Sequence, residues 1–329
     1  MKNVLKKLHI AVACCLTAMM LSACDKDKDK NEDQTGNEPQ LKPEDLANAA
    51  SPVFLKYCLD NFDTDRDGKL SAVEAAAVKN IDVHGLNVSS LVGIEVFTKL
   101  EVLDCDNAQL AKLDLSKNIA LTQLRCSNNR LTELDLSKNT ELTHLLCNSN
   151  RVNKLDLSNN TKLIDLTCYI NPLKKLDVSK CTTLTSLSCS DNQLSYLDLG
   201  SNTMLTYLSC TDNLLVKLDM RSCTALTALV CDNNWLNNID LSKCTELTRL
   251  SCDKNRLTDL NVSNCPVLNS LSCETNQFTE LDISNNTRLI NLDCRDNNIE
   301  TIWVWQGFIS TNRAFFKPST ANYKEKPSE

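Results

Sequence analysis

Along residues 100–299 apolar and polar positions recur every 21 residues without a slip. Cys105, Cys126, Cys147, Cys168, Cys189, Cys210, Cys231, Cys252, Cys273 and Cys294 mark the rungs. In the unit from Leu121 to Glu141 the apolar places are Leu121, Leu124, Cys126, Leu131, Leu134 and Leu136. Such a unit cannot bury its apolar side alone, so each is expected to stack on its copy in the next coil of a solenoid. Asn129, Asn150, Asn171, Asn192, Asn213, Asn234, Asn255, Asn276 and Asn297 follow the cysteines at a fixed distance. Their side chains can bond the backbone of the turn after each strand, where buried amides need partners. The first rung carries Ala108 at this place, so its turn should differ. Coils about 4.8 Å apart would build a parallel sheet along one face.

The unit resembles the leucine-rich-repeat pattern L-x-x-L-x-L-x-x-N-x-L with Cys at the third Leu. It is similar to the short-repeat class that includes bacterial internalins, over about two thirds of the chain. The resemblance implies an α/β solenoid, a right-handed coil of about ten 21-residue repeats with a parallel concave β-sheet. Each unit has two similar halves, Leu-x-Cys-x-x-Asn and Leu-Asp-Leu-Ser-x-Asn. Only the first is followed by x-Leu, as the pattern requires; after Asn139 the next leucine is Leu142, a residue late. The Cys half is therefore expected to form the concave sheet, with short strands also open to the other half.

Residues 44–99 precede the repeats and read as a helical cap. Ser51-Pro52 is a helix start, with Ser as cap and Pro at the first position. Val53, Phe54, Tyr57, Cys58 and Phe62 follow as an apolar face, and Ala72 to Lys79 is rich in helix formers. Between them, Asp63 to Glu74 matches the EF-hand loop. Asp63, Asp65 and Asp67 would offer carboxylates, Lys69 its carbonyl, Ser71 a side chain or bridged water, and Glu74 both oxygens, with Gly68 at the sharp turn. Calcium is thus the expected cofactor, structural because the loop is unpaired. Ser71-x-x-Glu74 alone would also read as a capping box. At the other end, residues 300–329 carry Ile302-Trp303-Val304-Trp305, then Phe308, Phe315, Phe316 and Tyr323, and read as a C-terminal cap and tail.

Residues 1–23 read as an export leader: Lys2, Lys6 and Lys7, then an apolar run too short to span a membrane. Leu21-Ser22-Ala23-Cys24 resembles a bacterial lipobox, which implies lipid on Cys24. Residues 24–43 are charged, without apolar periodicity, and read as a tether. A charged stretch after the lipidated Cys resembles the export signals of Bacteroidetes-type surface lipoproteins. The expectation is an outer-membrane lipoprotein exposed on the cell surface, with a periplasm-facing one as the alternative.

Composition narrows the function. The net charge of −7 argues against nucleic acid. Beyond the leader only His84 and His144 are histidines, which leaves little for acid–base chemistry or a His-rich metal site. No triad or phosphate loop stands out, so an enzyme is not expected. The 6 glycines are few, which suggests that Asn carries the tight turns. The stacked cysteines read as free, buried, small hydrophobes, since their parallel side chains suit neither disulfides nor tetrahedral metal sites. Cys181, Cys223, Cys244 and Cys265 take the place of Asn139, Asn160 and Asn202. The ladder of Asp114, Asp135, Asp156, Asp177, Asp198, Asp219, Asp240 and Asp282, broken by Asn261, reads as structural. On the sheet side, His144, Leu146, Tyr169, Ile170, Tyr207 and Trp235 are the larger groups among small polar ones, and His144, Tyr169, Tyr207 and Trp235 are the candidate contacts for a partner. By the resemblance that partner is a protein; the alternative is a glycan in polysaccharide capture. An oligomer is not implied.

Overall fold

A computed structural model describes Leu46, residues 50–308 and residues 313–327. The leader, Cys24 and the charged tether lie outside the described residues. The first helix, α1 (Pro52–Phe62), starts as its sequence dictates. Ser51 Oγ accepts the Phe54 amide at 3.3 Å and donates to the Ser90 carbonyl at 3.2 Å. Phe54 and Phe62 meet Phe97 edge-on, with centroids 6.3 and 5.8 Å apart. The Tyr57 hydroxyl accepts the Asp82 amide at 3.0 Å. The helix is thereby fixed to the first coil.

The second helix, α2 (Ala72–Ala77), is shorter than the predicted Ala72–Lys79 segment. Val78 turns extended, and Asn80–Asp82 is drawn into the sheet beside Val102–Asp104. Sheet pairing overrides the alanine-rich propensity there, as tertiary context commonly does.

The repeats form the predicted parallel β-solenoid. A continuous sheet of twelve strands runs along it, and its strands are the Cys halves, such as Gln123–Arg125 and His144–Leu146. Leu124, Leu145 and Leu166 pair in register and point inward, and the cysteines after them are buried. The sheet exceeds the ten expected rungs by one strand at each end, Asn80–Asp82 and Ala314–Phe316. Asn80 to Val102 is one residue more than the period, and Asn291 to Ala314 is two more. The end segments therefore act as widened coils as well as covers. The Asp halves form strands at two places: Leu197–Asp198 with Leu218–Asp219, and Glu280–Asp282 with Thr301–Val304 and Asn322–Glu325. At the C-terminal end Phe308 packs on Trp305, Phe315 and Tyr323, with centroids 4.9, 5.6 and 5.0 Å away. Among the described residues no helix is long and apolar enough to cross a membrane.

Polar ladders hold the coils in register. Asn129 Nδ2 donates to the Cys105, Cys126 and Ser127 carbonyls at 2.9, 3.0 and 3.2 Å, while its Oδ1 accepts the Leu110 amide at 2.8 Å. The same set recurs down to Asn297. These asparagines do not themselves make the tight turn, contrary to expectation. The left-handed residue is the one before, as at Asn128, Ser149, Ile170, Asp191 and Asp212. Asn there is common but not required, because one left-handed residue per coil is within reach of most side chains at a modest penalty. The Ala108 coil differs as predicted, with Asn107 and Gln109 both left-handed. A third row was not foreseen: Thr143, Thr206, Thr227 and Thr248 each donate Oγ1 to a carbonyl one coil back, at 2.9 or 3.0 Å.

Candidate functional site

The loop between the helices gathers part of the expected calcium set. Carboxylate oxygens of Asp63, Asp65 and Asp67 lie within 4.8 Å of one another. The loop's own amides shape them: Asp63 accepts from Arg66 at 2.7 Å and Gly68 at 2.9 Å, and Asp67 accepts from Lys69 at 2.8 Å. Gly68 takes φ +81°, which a side chain would strain. Glu74 is buried at the loop's end. Its Oε1 accepts the Thr64 amide and hydroxyl at 2.5 and 2.7 Å, and its Oε2 accepts the Ser71 amide and hydroxyl at 2.9 and 2.8 Å. Ser71 Oγ accepts the Glu74 amide in return at 3.2 Å, so the capping box is formed. The Ser71 amide, with Thr64, draws the Glu74 carboxyl down to about 2. Three clustered carboxylates with a fourth beside them are an oxygen-only donor set, which suits a hard divalent cation.

The four candidate contact residues occupy three different rows. His144 and Tyr207 share the first row of the sheet, three coils apart, and Tyr207 is exposed. His144 Nδ1 lies 2.9 Å from Thr143 Oγ1. Tyr169 sits past the strand, after Cys168, half-buried. Trp235 lies off the sheet, in the turn after Asn234, with the Arg256 guanidinium 5.1 Å over its ring. Spacing alone does not separate these rows, since one residue's difference in phase moves a side chain from the sheet to the flank.

The Asp ladder behaves as the structural reading expects. Asp135, Asp156 and Asp177 each accept the amide two residues on, at 2.9 or 3.0 Å. Asn261 does the same for Ser263 at 3.0 Å, so the turn needs an oxygen and not a charge. Ser137, Ser158 and Ser179 hold the Asp135, Asp156 and Asp177 carboxyls below the usual range.

One cluster escaped the sequence reading. His84, Asp104 and Asp106 bring ligand-type atoms within 4.8 Å at the first sheet rows. Arg125 Nε already stands 3.0 Å from Asp104 and 3.5 Å from Asp106, so these carboxylates have their cation. No motif marks this cluster, because only pairing of successive coils brings its members together.

Cys58 and the fourteen described repeat cysteines are free and buried. Burial pushes Cys147 and Cys189 up to about 12, so these are neutral thiols. Several thiols donate to the next coil, as Cys105 does to the Arg125 carbonyl at 3.3 Å.

Comparison with protein-family models and with curated proteins returns no match. Solved structures do match. The functional domain of InlJ from Listeria monocytogenes, described as including a cysteine ladder, is 29% identical with a TM-score of 0.66. The match covers 85% of this chain and 71% of that one. The internalin InlF from Listeria monocytogenes is 23% identical with a TM-score of 0.63, covering 85% of this chain and 98% of that one. The LRIM1/APL1C complex is 18% identical with a TM-score of 0.55, covering 71% of this chain and 51% of that one. With the register of twelve parallel strands, these similarities show that the chain has the leucine-rich-repeat solenoid fold.

Proposed function

We propose that this chain is a non-enzymatic cell-envelope lipoprotein that binds a macromolecular partner, a protein, through its repeat surface. The observation that carries the reading is the preformed sheet. Its backbone is satisfied by the pairing of every coil, and its outward rows mix small polar groups with larger ones, among them Arg125, His144, Leu146, Tyr207 and Arg249. A rigid surface of this kind binds with little ordering cost. The internalin-type neighbours are in keeping with a binding role. Lipid on Cys24 would tether the solenoid through residues 24–43, and the surface-exposed orientation follows from the charged stretch. Calcium, held by Asp63, Asp65, Asp67, Lys69, Ser71 and Glu74, would brace the cap that α1 and α2 form.

Protease shaving of intact cells tests the orientation, with a periplasmic protein as the uncut control. Degradation supports surface exposure. Protection, when the purified protein is cleaved, supports a periplasmic one. Binding of the purified chain to target cells tests the partner class. Loss after protease treatment of those cells supports a protein, while loss only after glycosidase treatment would favour glycan capture. Equal binding by the His144→Ala/Tyr207→Ala variant would remove those two residues from the contact.

A further inference from the structure

The middle of the solenoid has an unusual charge pattern. From Cys181 to Ser242 the only cations are Lys217 and Arg221, against Asp191, Asp198, Asp212, Asp219, Asp232 and Asp240. No other stretch of the solenoid of that length is so poor in lysine and arginine. Arg221 is already committed to Asp219, with Nε at 3.0 Å and Nη2 at 2.6 Å.

The same coils expose apolar side chains on the flank just past the sheet. Tyr196 is 55% exposed, Leu214 39%, Val216 48% and Trp235 46%. They are neighbours. The Trp235 amide donates to the Leu215 carbonyl at 2.9 Å, which sets Trp235 beside Leu214 and Val216 on either side of inward-facing Leu215. The pairing of Leu197 with Leu218 sets Tyr196 at the place of Lys217 in the next coil, diagonal to Val216. Outside Leu214 and Pro172, the Trp235 place is polar in the other coils, as at Arg130, Arg151, Gln193 and Gln277. Contiguous exposed apolar groups on a monomer mark interaction sites.

Three consecutive coils repeat one order along the chain: an aspartate, the apolar flank, a second aspartate. Asp191 and Asp198 bracket Tyr196, Asp212 and Asp219 bracket Leu214 and Val216, and Asp232 and Asp240 bracket Trp235. On one side of the strip runs the row Asp198, Asp219 and Asp240; on the other, Asp191 and Asp212 share a row with Asn233, while Asp232, one place earlier, accepts from Ser251 Oγ and the Asp253 amide at 2.7 and 2.8 Å. Burial, and next the neighbouring Asp212, hold the Asp191 carboxyl above its ordinary value.

We propose that this flank docks a cationic amphipathic segment of a partner protein: an apolar stripe on Tyr196, Leu214, Val216 and Trp235, with lysines or arginines on both sides meeting the aspartate rows. The proposal rests on the protein-binding reading above, extends its surface from the sheet to this flank and names a partner chemistry. Such a segment presents an apolar stripe flanked by charge, the usual form of helix recognition in a groove. The acidic rows supply charge complementarity and favour cationic over anionic partners.

The test uses the full chain and two synthetic helical peptides, Leu/Lys and Leu/Glu, with the same apolar stripe, read by fluorescence anisotropy. Binding of the Leu/Lys peptide alone is expected, weakened about tenfold in Leu214→Ser/Trp235→Ser, the scale of losing a main anchor. Asp198→Asn/Asp212→Asn should also weaken it and flatten its salt dependence, while Ile119→Ser, at an exposed apolar group outside these coils, should leave it unchanged. All these side chains are at the surface, and circular dichroism checks that the fold persists. Equal binding of both peptides, or full Leu/Lys binding by Leu214→Ser/Trp235→Ser, overturns the proposal. Failure here alongside protease-sensitive binding to cells would leave the protein-binding reading standing on another surface.

Discussion

Asn202 and Cys181 hold the same place in consecutive coils, and the Asn202 side-chain amide donates to the Cys181 carbonyl at 2.9 Å. The Asn202 oxygen is buried with no partner, as are those of Asn118, Asn139, Asn160 and Asn286. Asn192, in the other ladder, uses both ends: three carbonyls accept from Nδ2, and Oδ1 accepts the Leu173 amide at 3.0 Å. Cysteine at the first place removes an orphaned acceptor along with the donor; at the second it strands an amide. We expect Asn202→Cys to change stability by less than about 1 kcal/mol and Asn192→Cys to lose about 3 kcal/mol. Urea unfolding reads both, and equal losses would contradict the distinction.

Ile170 takes the left-handed turn position at φ 53°. A β-branched residue is a poor fit there, and the side chain is 49% exposed, so little packing holds it. Ile170→Asn should raise stability by about 1 kcal/mol. A lower melting temperature in the variant would show that Ile170 packs in a way that outweighs its backbone.

The Glu74 carboxyl, drawn from 4.5 to about 2 by Ser71 and Thr64, ties cap stability to pH. Because its folded value is depressed, the contribution is present above pH 4.5 and is lost as pH falls toward about 2. Glu74→Gln should flatten the melting temperature across that window. The same variant should bind calcium more weakly by isothermal titration. An identical melt of the native chain with calcium and with chelator would remove the structural role proposed for the ion.

The cysteine ladder should be inert while the protein is folded. Burial keeps Cys126, Cys168 and Cys231 as neutral thiols well above their ordinary range, and the thiolate is the reactive form. Thiol reagents should label the repeat cysteines only at the rate of unfolding. Labelling of the native chain faster than this would reveal local opening of the coils.

Cys24→Ala should release the protein from the membrane fraction, since one acyl-bearing residue is the proposed anchor. Continued sedimentation with membranes would defeat the lipid assignment.

Much of the fold was legible because the repeat states it many times over. The place of Cys126 recurs unchanged, that of Leu131 stays apolar, and that of Asn129 varies only at Ala108, so one argument about one unit served them all. The ends were harder to read. Asn80–Asp82 lacks the repeat's leucines, and its strand exists because Val102–Asp104 offers an open edge. Ala314–Phe316 joins in the same way at the far edge. The surface was least legible. Trp235 and Tyr207 look alike in sequence, yet one lies in a turn and the other on the sheet. His84 and Asp106 come together only through coil stacking. The calcium spacing was visible residue by residue, whereas the bonds from Glu74 to Thr64 needed the fold.

The constant register gives the gene an unusual freedom. Leu124 pairs with Leu145, which pairs with Leu166, and each bond set repeats one period on. Excision of twenty-one codons, begun at any phase within the regular coils, joins two surfaces that already match. Duplication does the same. Gain or loss of whole units in register can therefore lengthen or shorten the molecule in whole coils while both ends stay as they are, and reach becomes a quantity that selection can adjust apart from folding.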